Sequence, residues 1–464
     1  MSLARRIQLW LILSAVIFMP VQFLGQTAPQ YRALPEALAA STVQSSTQSP
    51  TPSRPQDQTG QRLTLAEAEN IAIQNHPRIQ AATQLATAAA AQVKEVQSIY
   101  YPQASGAATG AYAENNSRIA AGFLNSPSLF NKFAEGVSVS QLVTDFGRTH
   151  ELSKSSHFHA QAAQENIVAT RADVLLRVNL SYFNAMKAQS VLQVAEETVK
   201  ARQLVADQIT ALAKSSLKSG LDVSFANVDL ARAQLLLVQA QNDLQSSFAQ
   251  LSDALGYSDQ RTFQLVEEPL PGVPPPDVAP LIVEALQNRP EIISQGFDVR
   301  SAQSYATAER DLWFPTISAA GVTGLAPFRQ DTLPSRYAAA GFNVNVPIFN
   351  GRLFNAEHTE ATARSHVQEQ YLRDLQNRIA QDVRMSWLNV ISAYQRLSLT
   401  QQLLDQTKQA YDLATGRYQL GLSSIIELSQ AQLNLTEAQV EQVSAQYDYE
   451  SQTANLNYRL GRVK

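Results

Sequence analysis

The chain has 464 residues, a formal net charge of −4, 45% hydrophobic and 8% aromatic residues, and no cysteine. Without cysteine there is no disulfide, no thiolate metal site, no cysteine nucleophile and no lipid-modified cysteine. A mildly acidic chain without a basic stripe has little to set against phosphates, which excludes nucleic acid as a partner.

Arg5 and Arg6 precede a mostly apolar run over residues 7–19, and the small residues Gly25 and Ala28 follow. This pattern predicts a cleaved secretory signal over 1–28. The run is shorter than the roughly 20 residues of a spanning helix, which argues against a retained anchor. The flanks of Arg5-Arg6 do not support a twin-arginine signal. No later segment is a continuous apolar helix, so a membrane crossing has to use strands. Residues 29–61 are rich in Pro, Ser, Thr and Gln and read as a flexible linker. Order begins at Leu63-Thr64-Leu65-Ala66-Glu67, where Thr64 can cap a helix with Glu67 as its box partner.

From there the chain repeats itself once. Asn75-His76-Pro77 is answered by Asn288-Arg289-Pro290, Tyr101-Pro102 by Phe314-Pro315, and Phe146-Gly147-Arg148 by Asn350-Gly351-Arg352. Leu180-Ser181-Tyr182-Phe183 is answered by Met385-Ser386-Trp387-Leu388, Lys218-Ser219-Gly220-Leu221 by Gln419-Leu420-Gly421-Leu422, and Leu255-Gly256 by Leu460-Gly461. Two repeats are predicted, over 62–268 and 281–464, joined by a Pro-rich connector over 269–280 whose Pro274-Pro275-Pro276 cannot be helix interior. Each repeat reads as helix, two strands, very long helix, turn, long helix. The proline-free stretch 148–215 would span roughly 100 Å as one helix, and 352–415 is its counterpart. Val367, Tyr371, Leu375, Ile379, Val383, Trp387, Val390, Tyr394 and Leu397 recur there at helical spacing. Such a stripe needs a partner along its whole length, as in a coiled coil.

The strands, predicted over 100–113, 133–144, 314–325 and 336–348, carry a period of two. Ala338, Ala340, Phe342, Val344, Val346 and Ile348 alternate with Ala339, Gly341, Asn343 and Asn345. Val137, Val139 and Val143 alternate with Gly136, Ser138 and Ser140, and Gln141-Leu142 break the pattern. Segments of about 10 residues with one apolar and one small or polar face suit tilted membrane strands around a polar lumen. An ordinary soluble sheet with one wet face is the competing reading. Tyr100-Tyr101 and Trp313-Phe314 stand where an interfacial aromatic girdle would lie. Four strands cannot close a barrel in lipid. Two chains would give eight strands filled by side chains, and three give twelve with room for an opening. The loops over 114–132 and 327–335 would then be extracellular.

Chemistry is not indicated. His157 and His159 do not share a helix face, and no carboxylate joins His150 and His157 at the right step. No nucleophile elbow, P-loop or dinucleotide fingerprint occurs. An enzyme, a metal site and a cofactor are therefore not expected.

The duplicated unit, the strand ends Gln141-Leu142-Val143-Thr144-Asp145-Phe146-Gly147-Arg148 and Val346-Pro347-Ile348-Phe349-Asn350-Gly351-Arg352, and the helix turns at Gly220 and Gly421 resemble the TolC-like outer-membrane efflux proteins (outer membrane factors). The resemblance covers residues 62–462. It implies a mainly α protein with membrane β: long α-helical hairpins forming a periplasmic tunnel, and four strands per chain in a homotrimeric twelve-strand β-barrel in outer-membrane lipid. It implies a passive exit duct for a tripartite efflux or type I secretion system, docked to a periplasmic adaptor (membrane fusion protein) and an inner-membrane pump. The adaptor-docking tips would be Gly220, Leu221 and Asp222, and Gly421, Leu422, Ser423 and Ser424. The periplasmic entrance would hold Tyr418, matching an aromatic that helps keep it shut, and Glu427, matching the first of two acidic positions. Gln430 stands at the second, Ser423 at a gate arginine, and Ala226 at the first-repeat counterpart of Glu427, with Asp229 nearby. A pore-free coiled-coil scaffold is the alternative; it has no need of the alternation in 337–348.

Overall fold

The computed structural model describes residues 61–112, 132–328 and 334–463. The predicted signal segment, all but the last residue of the predicted linker, and most of the two predicted extracellular loops lie outside the described residues.

The chain enters through β1 (Gln61–Leu63), which pairs in parallel with β4 (Phe263–Leu265). Thr64 caps α1 (Leu65–Asn75) with the full box: its hydroxyl accepts from the Glu67 N–H, and the Glu67 carboxylate accepts from the Thr64 N–H. Pro77 and Pro290 open α2 (Pro77–Gln97) and α6 (Pro290–Arg310) at the position where a missing N–H is harmless. Short α5 (Ala279–Asn288) precedes α6 as α1 precedes α2. The long helices are α3 (Arg148–Lys214) and α7 (Leu353–Gln419), each 67 residues and thus roughly 100 Å. Each turns back into a helix of 35 residues, α4 (Gly220–Ala254) and α8 (Ile425–Arg459).

The duplication is regular. Arg148 and Leu353, Lys214 and Gln419, Gly220 and Ile425, and Ala254 and Arg459 are all 205 positions apart. Before the strands, Pro77 and Pro290, Gln97 and Arg310, and Gln103 and Thr316 are 213 apart. The whole difference therefore arises within the strand pairs and their loops.

Four antiparallel strands form one sheet in the order β2 (Gln103–Ala111), β3 (Lys132–Thr144), β5 (Thr316–Phe328), β6 (Arg336–Asn345). β2 starts three residues later than predicted because Ser98–Tyr100 closes α2 with a 3₁₀ turn. β6 stops at Asn345, short of the predicted 348, where Pro347 has no N–H for the ladder. Gln141 and Leu142 keep the regular register opposite Ala319 and Ser318, and Gln141 Nε2 donates to Tyr100 O at 2.8 Å; the β-bulge follows them, between Leu142 and Thr144. The pairing puts Ala104, Gly106, Val137, Val139, Ile317, Ala319, Ala340, Phe342 and Val344 on one face. The other holds Ser105, Thr109, Ser138, Ser140, Ser318, Asn343 and Asn345. No helix of the described residues is long and apolar enough to cross a membrane.

The helices lie side by side. Near the sheet the order is α2, α3, α6, α7; farther away it is α4, α3, α8, α7. Two cores sit at the level where these rows meet. One packs Tyr182, Val178, Phe248 and Leu251 under the β1–β4 ladder; the other packs Ile379, Val383, Val390, Tyr449 and Leu456. Each fully buried Val, Leu or Phe side chain contributes about 1.5–3 kcal/mol. Ala226, Ala233, Ala240, Ser247 and Ala254 are buried at every seventh position of α4, the repeat of a supercoiled seam. The large residues Leu221, Val228 and Leu235, also seven apart, face outward. The predicted α7 stripe is buried over Ile379, Val383 and Val390, whereas Val367 and Tyr371 are exposed.

Candidate functional site

The predicted docking residues lie at the two hairpin turns. An apolar cluster of Ala206, Ile209, Ala226, Ile425 and Leu428, with Val223, Phe225, Tyr411 and Tyr418 around it, ties the two turns together.

In the first turn, Leu217 N–H reaches back to Leu212 O at 2.9 Å and Ser216 N–H to Ala213 O at 2.9 Å. In the second, Leu422 N–H reaches Arg417 O at 2.8 Å and Gly421 N–H reaches Tyr418 O at 3.1 Å. Both are Schellman-type closures that need one left-handed residue. Gly421 supplies it in the second turn (φ 75°), and Ser216 does so in the first (φ 59°). This corrects the pairing of Gly220 with Gly421: Gly220 is the first residue of α4 and has open space around it. The structural counterpart of Glu427 is accordingly Asp222, not Ala226, which is buried in the tip cluster. A non-glycine left-handed residue costs about 1–2 kcal/mol. Ser216→Gly should therefore stabilise the first turn by about 1 kcal/mol and Gly421→Ala should weaken the second by a similar amount. Amide exchange at the turns, slowed in the first variant and hastened in the second, is the check.

Ser219 and Ser424 cap the returning helices, accepting from the N–H groups of Asp222 (3.2 Å) and Glu427 (3.3 Å). The two carboxylates then differ. Asp222 closes a capping box, accepting from the Ser219 N–H at 3.0 Å and hydroxyl at 2.9 Å, and these bonds hold its pKa below the usual range. Glu427 instead faces Arg417 Nε at 3.3 Å across its own turn. Lys218 Nζ lies 4.0 Å above the Tyr418 ring, joining one turn to the other. Leu221 and Leu422 are exposed, and Ser423 is half-buried beside them. Gln430 is exposed and donates to Asn434 Oδ1 at 2.8 Å. Asp229 sits two turns up α4, accepts from the Ser429 hydroxyl on α8, and has Arg232 Nη1 at 3.9 Å. Sequence reasoning missed Arg417, Ser216 and Ser429. Arg417 had a readable signal, a cation in the last turn of α7 facing the first turn of α8.

The histidines do not converge. His159 Nδ1 lies 3.4 Å from Asp298, whose hydrogen bond raises the imidazole pKa. Among the described residues, no three His, Cys, Asp or Glu are grouped to hold a metal.

Comparison with known proteins places this architecture. The family described as outer membrane efflux protein matches residues 69–257 and 281–462. The cation efflux system protein CusC of Escherichia coli strain K12 is 25% identical over 387 residues, covering 78% of this chain and 79% of CusC. The outer membrane protein TolC of the same strain is 22% identical over 421 residues, covering 86% of this chain and 83% of TolC. A crystal structure of CusC superposes with a TM-score of 0.75 at 21% identity, covering 86% of this chain and 92% of that one. The long hairpins are the helical tunnel of this fold, and the four strands are the chain's share of its β-barrel. The strands lie in the outer membrane and the helices in the periplasm. The chain belongs to the family of TolC-like outer membrane efflux proteins.

Proposed function

We propose that three copies of this chain close into a twelve-strand barrel over a helical tunnel, which acts as a passive exit duct for an efflux or type I secretion system. One observation carries the reading: the four-stranded sheet has an apolar face, a polar face and two open edges. Among the described residues, the outer edges of β2 and β6 have no ladder partner. In lipid each unpaired backbone group costs several kcal/mol. β2 and β6 differ, so the contact is head-to-tail, and such contacts close into rings.

The helices support the same closure. α2 and α4 are outermost on the β2 side, and α7 is outermost on the β6 side. α4 leaves Leu221, Val228 and Leu235 exposed, and α7 leaves Tyr371, Met385, Leu399 and Leu413 exposed at multiples of seven. Two heptad stripes on opposite flanks suit knobs-into-holes packing of one copy on the next. Leu235 and Leu399 are 71% and 64% exposed in the single chain, so charging either leaves the lone chain's own packing largely intact.

Electron microscopy of the detergent-extracted protein is the test. Hollow cylinders with a stalk of roughly 100 Å and threefold end views support the duct, with Leu235→Glu and Leu399→Glu each reducing the trimer. Solid rods, or a monomer that needs no detergent, leave the scaffold.

The hairpin tips, farthest from the sheet, are the docking surface for a periplasmic adaptor and, through it, an inner-membrane pump. Their exposed Leu221 and Leu422 supply apolar contact. Glu427 and Asp222 form acidic rings at the entrance, and such rings attract cations. Arg417 sets the strength of the Glu427 ring. Glu427→Gln should weaken block by trivalent cations in bilayer recordings, and Arg417→Gln should tighten it. Each change should be about fivefold, from ~1 kcal/mol for a charge pair near 4 Å in water. Unchanged block in both variants removes Glu427 from the entrance.

A further inference from the structure

The polar face of the sheet carries one aromatic among the described residues in regular register, Tyr337 on β6. Its register neighbours are Gly324 on β5 and then Gly136 on β3. The phenol lies over both. A Cβ at Gly136 would be 3.2 Å from Tyr337 Cζ, closer still to its hydroxyl oxygen, and 2.8 Å from the Thr323 backbone oxygen; a Cβ at Gly324 would run into the same two Tyr337 atoms and into the Glu135 backbone oxygen. The Tyr337 hydroxyl donates to the Glu135 backbone oxygen at 3.4 Å. The ring therefore reaches from β6 across β5 to β3 and lies along the sheet. Glycine inside a strand weakens it and marks close approach by another group. An aromatic laid on such glycines restores cover and pins the register. The rest of this face is mostly Ser, Thr, Asn, Ala and Gly, with Gln103, Lys132, Leu142 and Val322 on β2, β3 and β5, and Tyr337 is its one aromatic, the bulkiest rigid side chain that could obstruct a lumen.

We infer that Gly136 and Gly324 form a cradle that lays Tyr337 flat on the luminal wall and thereby sets the clear bore of the barrel. The inference rests on the duct reading, in which the polar face lines the lumen. A side chain at either glycine removes the seat, and the ring stands up into the bore. Threefold symmetry would repeat the obstruction three times at one level. The cradle thus selects cargo by size near the barrel mouth, with no charge involved.

The chain has no cysteine, so a single introduced thiol reports alone. Asn343 is on the same face of β6, six residues from Tyr337 and farther from the β5–β6 loop. The Asn343→Cys variant is reacted in whole cells with a small and a bulky impermeant methanethiosulfonate added from outside. Gly136→Ala and Gly324→Ala should slow the bulky reagent about tenfold, as a narrowed pore does, and leave the small one nearly unchanged. Adding Tyr337→Ala to Gly136→Ala should restore most of the rate, because the ring is the closest group there; at Gly324 the Glu135 backbone oxygen still blocks the Cβ, so rescue is read at Gly136. Tyr337→Ala alone should change it by less than about twofold, because a ring already flat obstructs little. That arm stands even if the glycine variants fail to assemble. A clear acceleration by Tyr337→Ala alone means the ring already projects, and the cradle is wrong. Bulky labelling unaltered by both glycine changes in assembled protein also overturns it. If Asn343→Cys reacts with neither reagent, the luminal assignment itself fails, and the duct reading fails with it.

Discussion

Tyr182→Ala is expected to release the connector that joins the two repeats. Tyr182 is fully buried, packs edge-on against Phe183 at 6.0 Å, and belongs to the core under the β1–β4 ladder. Its hydroxyl lies 3.0 Å from Leu63 O and 2.6 Å from Val266 O, and it accepts from the Val266 N–H at 3.2 Å. One side chain on α3 thus holds both strands that enter and leave the first repeat. Burial pushes the phenol pKa up to about 12, so the group is neutral at any ordinary pH. Truncating a large buried aromatic to alanine costs about 3–5 kcal/mol. Most of that loss falls on the ladder and on the segment that follows Val266. Limited proteolysis of the connector should accelerate by roughly two to three orders of magnitude, since each 1.4 kcal/mol is tenfold. Tyr182→Phe is the control. It keeps the ring, and Val266 N–H retains Leu63 O at 3.2 Å, so the cost should be only about 1 kcal/mol. Equal proteolysis of Tyr182→Ala and the parent would show that the connector is held elsewhere.

The second repeat contains the same anchor in different chemistry. Trp387 stands 205 positions after Tyr182, is partly buried, and donates Nε1–H to Pro275 O at 2.9 Å. The Tyr449 hydroxyl donates to Gly272 O nearby. The Pro-rich connector has few N–H groups of its own to offer, so side-chain donors satisfy its carbonyls. The duplication has therefore kept the position of the anchor while the hydrogen-bond geometry diverged.

This explains what was legible in the residues and what was not. The long helices were readable because Ile379, Val383 and Val390 recur at a helical period that only buried packing uses. The strands were readable because Phe342 and Val344 alternate with Asn343 and Asn345. Glycine alone pairs Gly220 with Gly421, while the left-handed residue of the first turn is Ser216. The difference is four residues, about one helical turn, so the apolar pattern still agrees and gives no warning. Restoring the offset moves the first-repeat acid from the place of Ala226 to Asp222. Arg417 and Glu427 were each readable as a last-turn cation and a first-turn acid, but their contact was not. It depends on how tightly the turn folds back, and spacing along one helix does not reveal that. The Tyr337 seat was hidden because Gly136 and Gly324 are 188 positions apart and meet only through strand order.

Burial also gives the chain a sensitivity to pH, centred on Glu450. This α8 residue is 3% exposed, and its Oε1 has no hydrogen-bond partner. Burial pushes its pKa up to about 7 from the usual 4.5; a hydrogen bond with Gln446 opposes the shift, and the Glu267 and Glu268 carboxylates reinforce it. Both neighbours are already engaged, Glu267 by Gln446 Nε2 at 3.2 Å and Glu268 by Leu65 N–H at 3.3 Å. Between pH 4.5 and about 7 the folded chain keeps a proton that the unfolded chain has released. Stability must then fall as pH rises through that window and level off above it. The shift corresponds to about 3 kcal/mol. Glu69 is also raised by burial and acts in the same direction, whereas Asp222 and Glu284 are lowered and act in the opposite one. The absolute pH profile is therefore a sum, and the difference between parent and variant isolates Glu450. Glu450→Gln keeps the shape and removes the charge. It should match the parent near pH 4.5 and exceed it at pH 8 by about 3 kcal/mol, read from denaturant midpoints in detergent. Parallel curves would mean that the Glu450 carboxylate is solvated in the assembled protein. A gap that opens with rising pH would mean that α8 carries an ionisable group whose charging loosens its contact with the connector, at the same level where Tyr182 and Trp387 hold it.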